Sequence, residues 1–257
     1  VVLELGCGVG CAALRAICRG GQVIACETDA VRASGAICLL HWAQGDDRPI
    51  VDVRVGQGEQ LLPQLRRELG PRSIDLLLLG GSQGAEYQLE FARAEGLDLL
   101  ADGAVIVADR VLDPMAPELL WLLCSADLFQ DTFVVETEDD DWTAVACGFS
   151  ASGPTTRLAE GTRCVLPSWP WPLPPPAVSQ LRQSSDEAYR RTNAWRYRSR
   201  MVTGPTRLSN ADLEAAKRAY QELGLRPQLR TAQRRGDRWH VDLSLGEEDL
   251  ATEDKRL

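Results

Sequence analysis

Apolar residues fall into two textures along the first 150 positions. Short runs such as Val2-Leu3-Glu4-Leu5, Val23-Ile24-Ala25-Cys26 and Ile74-Asp75-Leu76-Leu77-Leu78-Leu79 are strand-sized and nearly all apolar. Between them lie longer stretches in which apolar positions return every three or four residues, the period of a helix with one buried face. Near-continuous apolar strands suit a parallel sheet covered on both sides, and the helical stretches supply the cover. The pattern predicts strands at about 1–5, 22–27, 50–55, 74–79, 103–108, 131–136 and 142–149, with helices at about 11–19, 29–43, 58–69, 85–100 and 115–125.

Thr132-Phe133-Val134-Val135 and Trp142-Thr143-Ala144-Val145-Ala146 are separated only by an acidic turn from Glu138 to Asp141, so the last two strands form an antiparallel hairpin. The fold expected is α/β: a seven-stranded Rossmann-like sheet with helices on both faces.

The texture changes after Ser150. Ala151-Ser152-Gly153-Pro154 is linker-like, and Pro167-Ser168-Trp169-Pro170-Trp171-Pro172-Leu173-Pro174-Pro175-Pro176 is held extended, because each proline ring blocks both helix and ladder. That segment reads as a spacer or as a ligand for an aromatic groove on a protein partner. Farther on, Ser209-Asn210 caps a helical pattern that stops at Gly224, Arg238 to Leu245 alternates like an edge strand, and the tail from Gly246 is expected to be disordered. The organisation expected is a domain over 1–150, a Pro/Trp-rich linker over 151–180 and a basic α/β appendage with an acidic tail over 181–257.

Charge sharpens that division. The net charge of −9 conceals fourteen basic against six acidic residues in 181–240, and twelve against twenty-five in 1–180. An acidic first domain argues against nucleic acid as its ligand. Arg190, Arg191, Trp195, Arg196, Tyr197, Arg198 and Arg200 mix cations with aromatics as single-strand binders do, but a basic helix lying on the acidic domain accounts for them equally well. No run reaches the roughly twenty apolar residues of a bilayer crossing, so no membrane partner is expected. The chain opens on Val1 without a leader pattern, and eight cysteines never occur as CxxC, which together point to a reducing, cytoplasmic setting.

The first strand runs into Gly6-Cys7-Gly8-Val9-Gly10. Glycines there let the chain turn sharply and let a bulky ligand lie across the strand ends. Glu4, an acid inside that strand, would oppose a diphosphate, so a neutral or cationic ligand is expected. Glu27 ends the second strand, where a carboxylate can accept hydrogen bonds from both ribose hydroxyls. Its alternative is a solvated loop carboxylate.

These features, together with Val55-Gly56-Gln57-Gly58-Glu59-Gln60-Leu61-Leu62-Pro63-Gln64-Leu65, the strand ending at Leu79, and Ala108-Asp109-Arg110-Val111-Leu112, resemble the catechol O-methyltransferases, a branch of the class I S-adenosylmethionine-dependent methyltransferases, over about residues 2–150. The resemblance implies a methyl transfer from S-adenosylmethionine to a hydroxyl of a small aromatic acceptor. It implies that Glu4 and Gly6 line the methionine end, that Gly8 and Gly10 belong to the same cofactor-binding turn, that Glu27 holds the ribose, and that Gly58 and Glu59 lie against the adenine, where the family usually has Ser and Gln. Family helices that shape the acceptor site precede the first strand. The chain begins at that strand, so the resemblance implies that those helices are missing.

The catalytic half departs from the family. Gly80 stands where a magnesium-binding Asp is usual, Gln83 near the general-base Lys, and Asp109-Arg110 where an Asp–Asn metal pair is usual. Only Asp109 survives of three protein ligands, and a guanidinium cannot coordinate a cation, so the substitutions argue against magnesium. A carboxylate that orients the acceptor falls near Trp142, which Asp139, Asp140 or Asp141 can replace. Asp109 and Arg110 are the catalytic candidates, the guanidinium standing in for the metal opposite an oxyanion; the alternative is a structural contact at the sheet edge. His41 and His240 are isolated, which argues against a histidine-based nucleophile. Two further readings compete: a cofactor-binding or interaction module that has lost catalysis, and a protein N-methyltransferase, for which Gly80-Gly81-Ser82-Gln83 lacks the polar tetrapeptide expected after the fourth strand.

Overall fold

A computed structural model describes residues 1–8, 21–44, 51–80, 84–112, 116–125, 128–137, 141–150, 174–183, 187, 210–223, 228–230, 232–235 and 238–241. Gly10, the helix expected at 11–19, the Trp-Pro run up to Leu173, the basic cluster from Arg190 to Arg200 and the tail from Gly246 lie outside the described residues.

The strands are β1 (Val2–Leu5), β2 (Val23–Glu27), β3 (Val51–Val55), β4 (Ile74–Leu79), β5 (Leu100–Ala108), β6 (Asp131–Glu136), β7 (Trp142–Cys147), β8 (Gln228–Arg230), β9 (Ala232–Arg235) and β10 (Arg238–Val241). The helices are α1 (Ala30–Gln44), α2 (Gly58–Leu69), α3 (Gly84–Gly96), α4 (Pro117–Ser125) and α5 (Asn210–Glu222). The main sheet runs β3-β2-β1-β4-β5-β7-β6-β8. β7 is antiparallel to both β5 and β6, closing the seven-strand α/β layout expected from the hairpin pattern.

Apolar alternation decides which face of each element is buried. Ala36 and Leu40 of α1 pack against Val23, Ala25 and Val51 on one face of the sheet. Leu61, Leu62 and Leu65 of α2, Tyr87 and Phe91 of α3, and Leu119, Leu120 and Leu123 of α4 join the larger cluster with Leu3, Leu5, Leu77 and Leu79. Each fully buried leucine there contributes about 1.5–3 kcal/mol.

Three departures from the sequence pattern have physical causes. α3 ends at Gly96 rather than at residue 100: Asp98 takes a left-handed φ of 53°, and the Leu99 N–H donates to the Ala94 carbonyl at 3.0 Å, turning Leu99 and Leu100 into the sheet. The chain past Ser150 adds an eighth strand, β8, parallel to β6. Arg238 to Val241 is a strand as expected, but it pairs with β9 in a separate two-stranded sheet.

The compositional boundary at 150 is not a boundary of the core. Val178, Leu213, Ala216 and Tyr220 belong to the same buried cluster as the strands of the first domain. Tyr220 packs on Trp142 with ring centroids 5.9 Å apart, Arg182 clamps Glu118 with two hydrogen bonds, and Lys217 bridges Glu136 and Glu214.

Candidate functional site

Backbone hydrogen bonds gather four loops into one row at the carboxyl ends of the strands. The Gly6 and Cys7 amides donate to the Cys26 carbonyl at 2.8 and 3.0 Å, Gly56 to Glu27 at 3.0 Å, Gly80 to Leu5 at 2.9 Å and Asp109 to Leu79 at 2.9 Å. In open α/β sheets this edge is where ligands bind. Gly6 and Gly8 adopt left-handed φ values of 84° and 56°, a region that a side chain enters only at a cost of about 1 kcal/mol or more. Among the described residues, a Cβ added to Gly8 would meet nothing within 4 Å.

Two buried carboxylates flank that turn. Glu4, 4% exposed, sits in β1 between Ala25 of β2 and Leu78 of β4. Glu27, 3% exposed, ends β2. Its Oε2 accepts the Gly8 N–H at 2.9 Å; its Oε1 accepts the Asp29 N–H at 2.9 Å and the Thr28 hydroxyl at 3.3 Å, and faces the Arg32 guanidinium at 3.1 Å. Glu27 is therefore a fixed acceptor and not a loose loop residue. Asp29 caps α1 by accepting the Val31 and Arg32 amides at 2.8 and 3.1 Å, and those bonds hold its carboxyl below the usual carboxylate range. The Cys7 thiol is pushed up to about 12, first by burial and then by the charges of Glu4 and Glu27. That local negative potential disfavours a thiolate, and it favours a cationic ligand over a diphosphate.

The neighbouring corner is the amino end of α2. Gly58 is buried, and Gln57 gives no side-chain cap. Glu59 is exposed and pairs with Arg93 at 3.4 Å. A Cβ on Gly58 would come within 3.2 Å of Oε1 of Glu90, which projects from α3 into this corner. Burial, with Glu86 nearby, pushes the Glu90 carboxyl up to about 7. Glu90 was not among the residues that the sequence singled out, yet it sits in the stripe Tyr87, Glu90, Phe91, Ala94 at helical spacing. A carboxylate interrupting a buried stripe is the signal that would have found it.

At the other end, Leu79 and Ala108 are register partners, so Gly80 and Asp109 follow adjacent strands. Asp109 is exposed, and its Oδ1 accepts the Thr143 hydroxyl at 2.8 Å. The Tyr87 hydroxyl donates to the Asp109 carbonyl at 3.2 Å. Arg110 has a left-handed φ of 55°, a conformation that Asn tolerates better than Arg.

This donor set does not fit magnesium, which requires several hard oxygens in near-octahedral array. Gly80 offers no side-chain oxygen, Arg110 no ligand, and among the described residues no three metal-capable side chains cluster. Asp141 is no substitute: it is 4% exposed, and its Oδ1 accepts the Leu112 and Trp142 amides at 3.0 and 2.6 Å, bracing the turn after β5. Gln83, Asp139 and Asp140 lie outside the described residues.

No family model matches the chain. Among curated proteins it is similar to the transmembrane O-methyltransferase of Homo sapiens, 36% identical over 122 residues, which cover 46% of this chain and 41% of that protein. It is also similar to the catechol O-methyltransferase of Sus scrofa, 29% identical over 123 residues, 47% of this chain and 64% of that one. The chain thus spans less than two thirds of the length of either. Among solved structures, the O-methyltransferase from Bacillus cereus in complex with SAH aligns over 58% of this chain and 73% of its own, at 20% identity and a TM-score of 0.49. Among the described residues no helix is long and apolar enough to cross a membrane. The curated similarities are those of a catechol O-methyltransferase-like sequence.

Proposed function

We propose that the chain is an S-adenosylmethionine-dependent O-methyltransferase that acts on a hydroxyl of a small, aromatic acceptor without magnesium. The observation that carries this reading is Glu27: a buried, fixed carboxylate at the end of β2, hydrogen-bonded to the left-handed glycine turn. Glu4, Gly6 and Gly8 fit the sulfonium-bearing methionine end, Glu27 the ribose, and Gly58 with Glu59 the adenine. Gly10 belongs to the same proposed set. S-adenosylmethionine, when bound, supplies the electrophilic methyl group. Positioning the acceptor in line with it furnishes most of the rate in this reading.

Asp109 and Arg110 are proposed as the polar groups on the acceptor side, with the guanidinium facing the developing oxyanion. Cytoplasmic residence belongs to the same proposal and is supported by the described cysteines Cys7, Cys26, Cys38 and Cys124, which form no disulfide.

A second reading, a module that binds the cofactor but transfers nothing, is favoured by Gly80 and by the engagement of Asp109 with Thr143. Radiolabelled S-adenosylmethionine offered with a panel of phenols and catechols, in excess chelator, separates the two. Label appearing in an ether product supports the first reading. Cofactor binding with no label in any product gives the second.

A further inference from the structure

We propose that Glu90 reads the exocyclic amino group of the bound adenine, in place of a polar side chain that position 58 lacks. The inference rests on the cofactor reading above and assigns a residue that the sequence motifs pass over.

Three observations converge on this corner. The Gly56 amide donates to the Glu27 carbonyl at 3.0 Å, which ties the turn before α2 to the strand that carries the nucleoside acid. Gly58 is buried and bare, and the Glu90 carboxyl fills its lateral space, 3.2 Å from where a Cβ would be. A serine at 58 would crowd that carboxylate, so glycine at 58 and glutamate at 90 fit each other. The Glu59 carboxylate at this corner is ion-paired with Arg93 at 3.4 Å, so the acceptor left without an ion pair among the described residues is Glu90.

A half-buried carboxylate interrupting an apolar stripe is costly unless something hydrogen-bonds to it. Among the described residues no hydrogen bond or ion pair satisfies Glu90. The charged and titratable groups around it are Glu86, Tyr87 and Arg93 on α3, Cys26 on β2, and Glu59 beyond Arg93 on α2. The Cys26 thiol and the Tyr87 hydroxyl both keep their protons, but the Tyr87 hydroxyl donates to the Asp109 carbonyl at 3.2 Å and no hydrogen bond from Cys26 to Glu90 is present among the described residues, which leaves the Glu90 carboxylate open to a ligand donor. A carboxylate accepts from a 6-amino group and repels a 6-oxo group, which confers preference for adenine over hypoxanthine.

The test is calorimetric titration of the whole chain with S-adenosylhomocysteine and with S-inosylhomocysteine, at about pH 6 and about pH 8. The wild type is expected to prefer the adenosyl compound by about tenfold or more at the higher pH, the size of one charge-assisted hydrogen bond. The preference should shrink at the lower pH, where Glu90 gains a proton and can donate to the 6-oxo group. Glu90→Ala should bring the ratio near one, and Glu90→Gln, which keeps the shape, should give a ratio that no longer changes with pH. Binding of both compounds by Glu90→Ala at the wild-type ratio, or a pH dependence that survives in Glu90→Gln, overturns the inference alone. Binding of neither compound by the wild type overturns the cofactor reading and this inference with it.

Discussion

Glu27 and Gly8 are joined across the mouth of the sheet by one charge-assisted hydrogen bond, the Gly8 N–H donating to Oε2 at 2.9 Å. The bond couples the shape of the glycine turn to the acid that ends β2, so the ligand cradle and its main acceptor are set together. Glu27→Ala removes both. S-adenosylhomocysteine affinity is expected to fall about 10- to 100-fold, as for the loss of one or two hydrogen bonds to a charged group, when measured by calorimetry. Glu27→Gln, which keeps one acceptor oxygen, should fall less. Equal affinity in all three proteins would contradict the role given to this acid.

The missing metal set can be rebuilt. Among the described residues, a Cβ at Gly80 would meet only the Gly6 carbonyl, at an ordinary 3.4 Å, which leaves room for Gly80→Asp. Asn also accepts the left-handed backbone of residue 110 more readily than Arg does. Electron paramagnetic resonance of added Mn²⁺ should show no stoichiometric binding to the wild type and measurable binding to the Gly80→Asp, Arg110→Asn double variant. Tight stoichiometric Mn²⁺ binding by the wild type would contradict the reading of Gly80 and Arg110.

Glu90 also leaves a mark on stability. Its folded pKa, pushed up to about 7, lies above the unfolded value, so the folded chain holds a proton there that the unfolded chain releases at lower pH. Stability from this group is therefore full at acidic pH and declines as pH rises from about 4.3 through about 7. Glu90→Gln should be neutral near pH 4 and should stabilise the fold near pH 8 by about 1–3 kcal/mol, allowing for partial exposure. Denaturant midpoints at the two pH values check it, and a variant that is destabilised at the higher pH would contradict it.

Tyr220 tests whether the chain past Ser150 shares the core. It is fully buried against Trp142, and its hydroxyl has no hydrogen-bond partner among the described residues. Tyr220→Phe should be neutral or slightly stabilising, and Tyr220→Ala should cost about 3–5 kcal/mol. The whole protein should still unfold in one transition. A second, separate transition in the wild type would mean that α5 folds independently of the sheet.

The strands were legible because near-continuous apolar runs such as Ile74 to Leu79 admit few other structures, and the glycine turn with Glu27 was legible because few ligands need an acid at that spacing. The end of α3 was not: Leu97, Leu99 and Leu100 continue the apolar pattern, and only the left-handed backbone at Asp98 turns them into β5. Nor was the place of Asp141, which looked like one of four exposed turn acids and is a buried brace. The docking of α5 on Trp142, and the reach of Glu90 to Gly58, are long-range contacts that local periodicity does not encode.

The most direct measurement is calorimetric titration of the wild-type chain with S-adenosylhomocysteine, run with magnesium and with chelator. Saturable one-to-one binding with the same affinity in both buffers is expected. Absence of binding in either buffer, or binding only with magnesium, would contradict it.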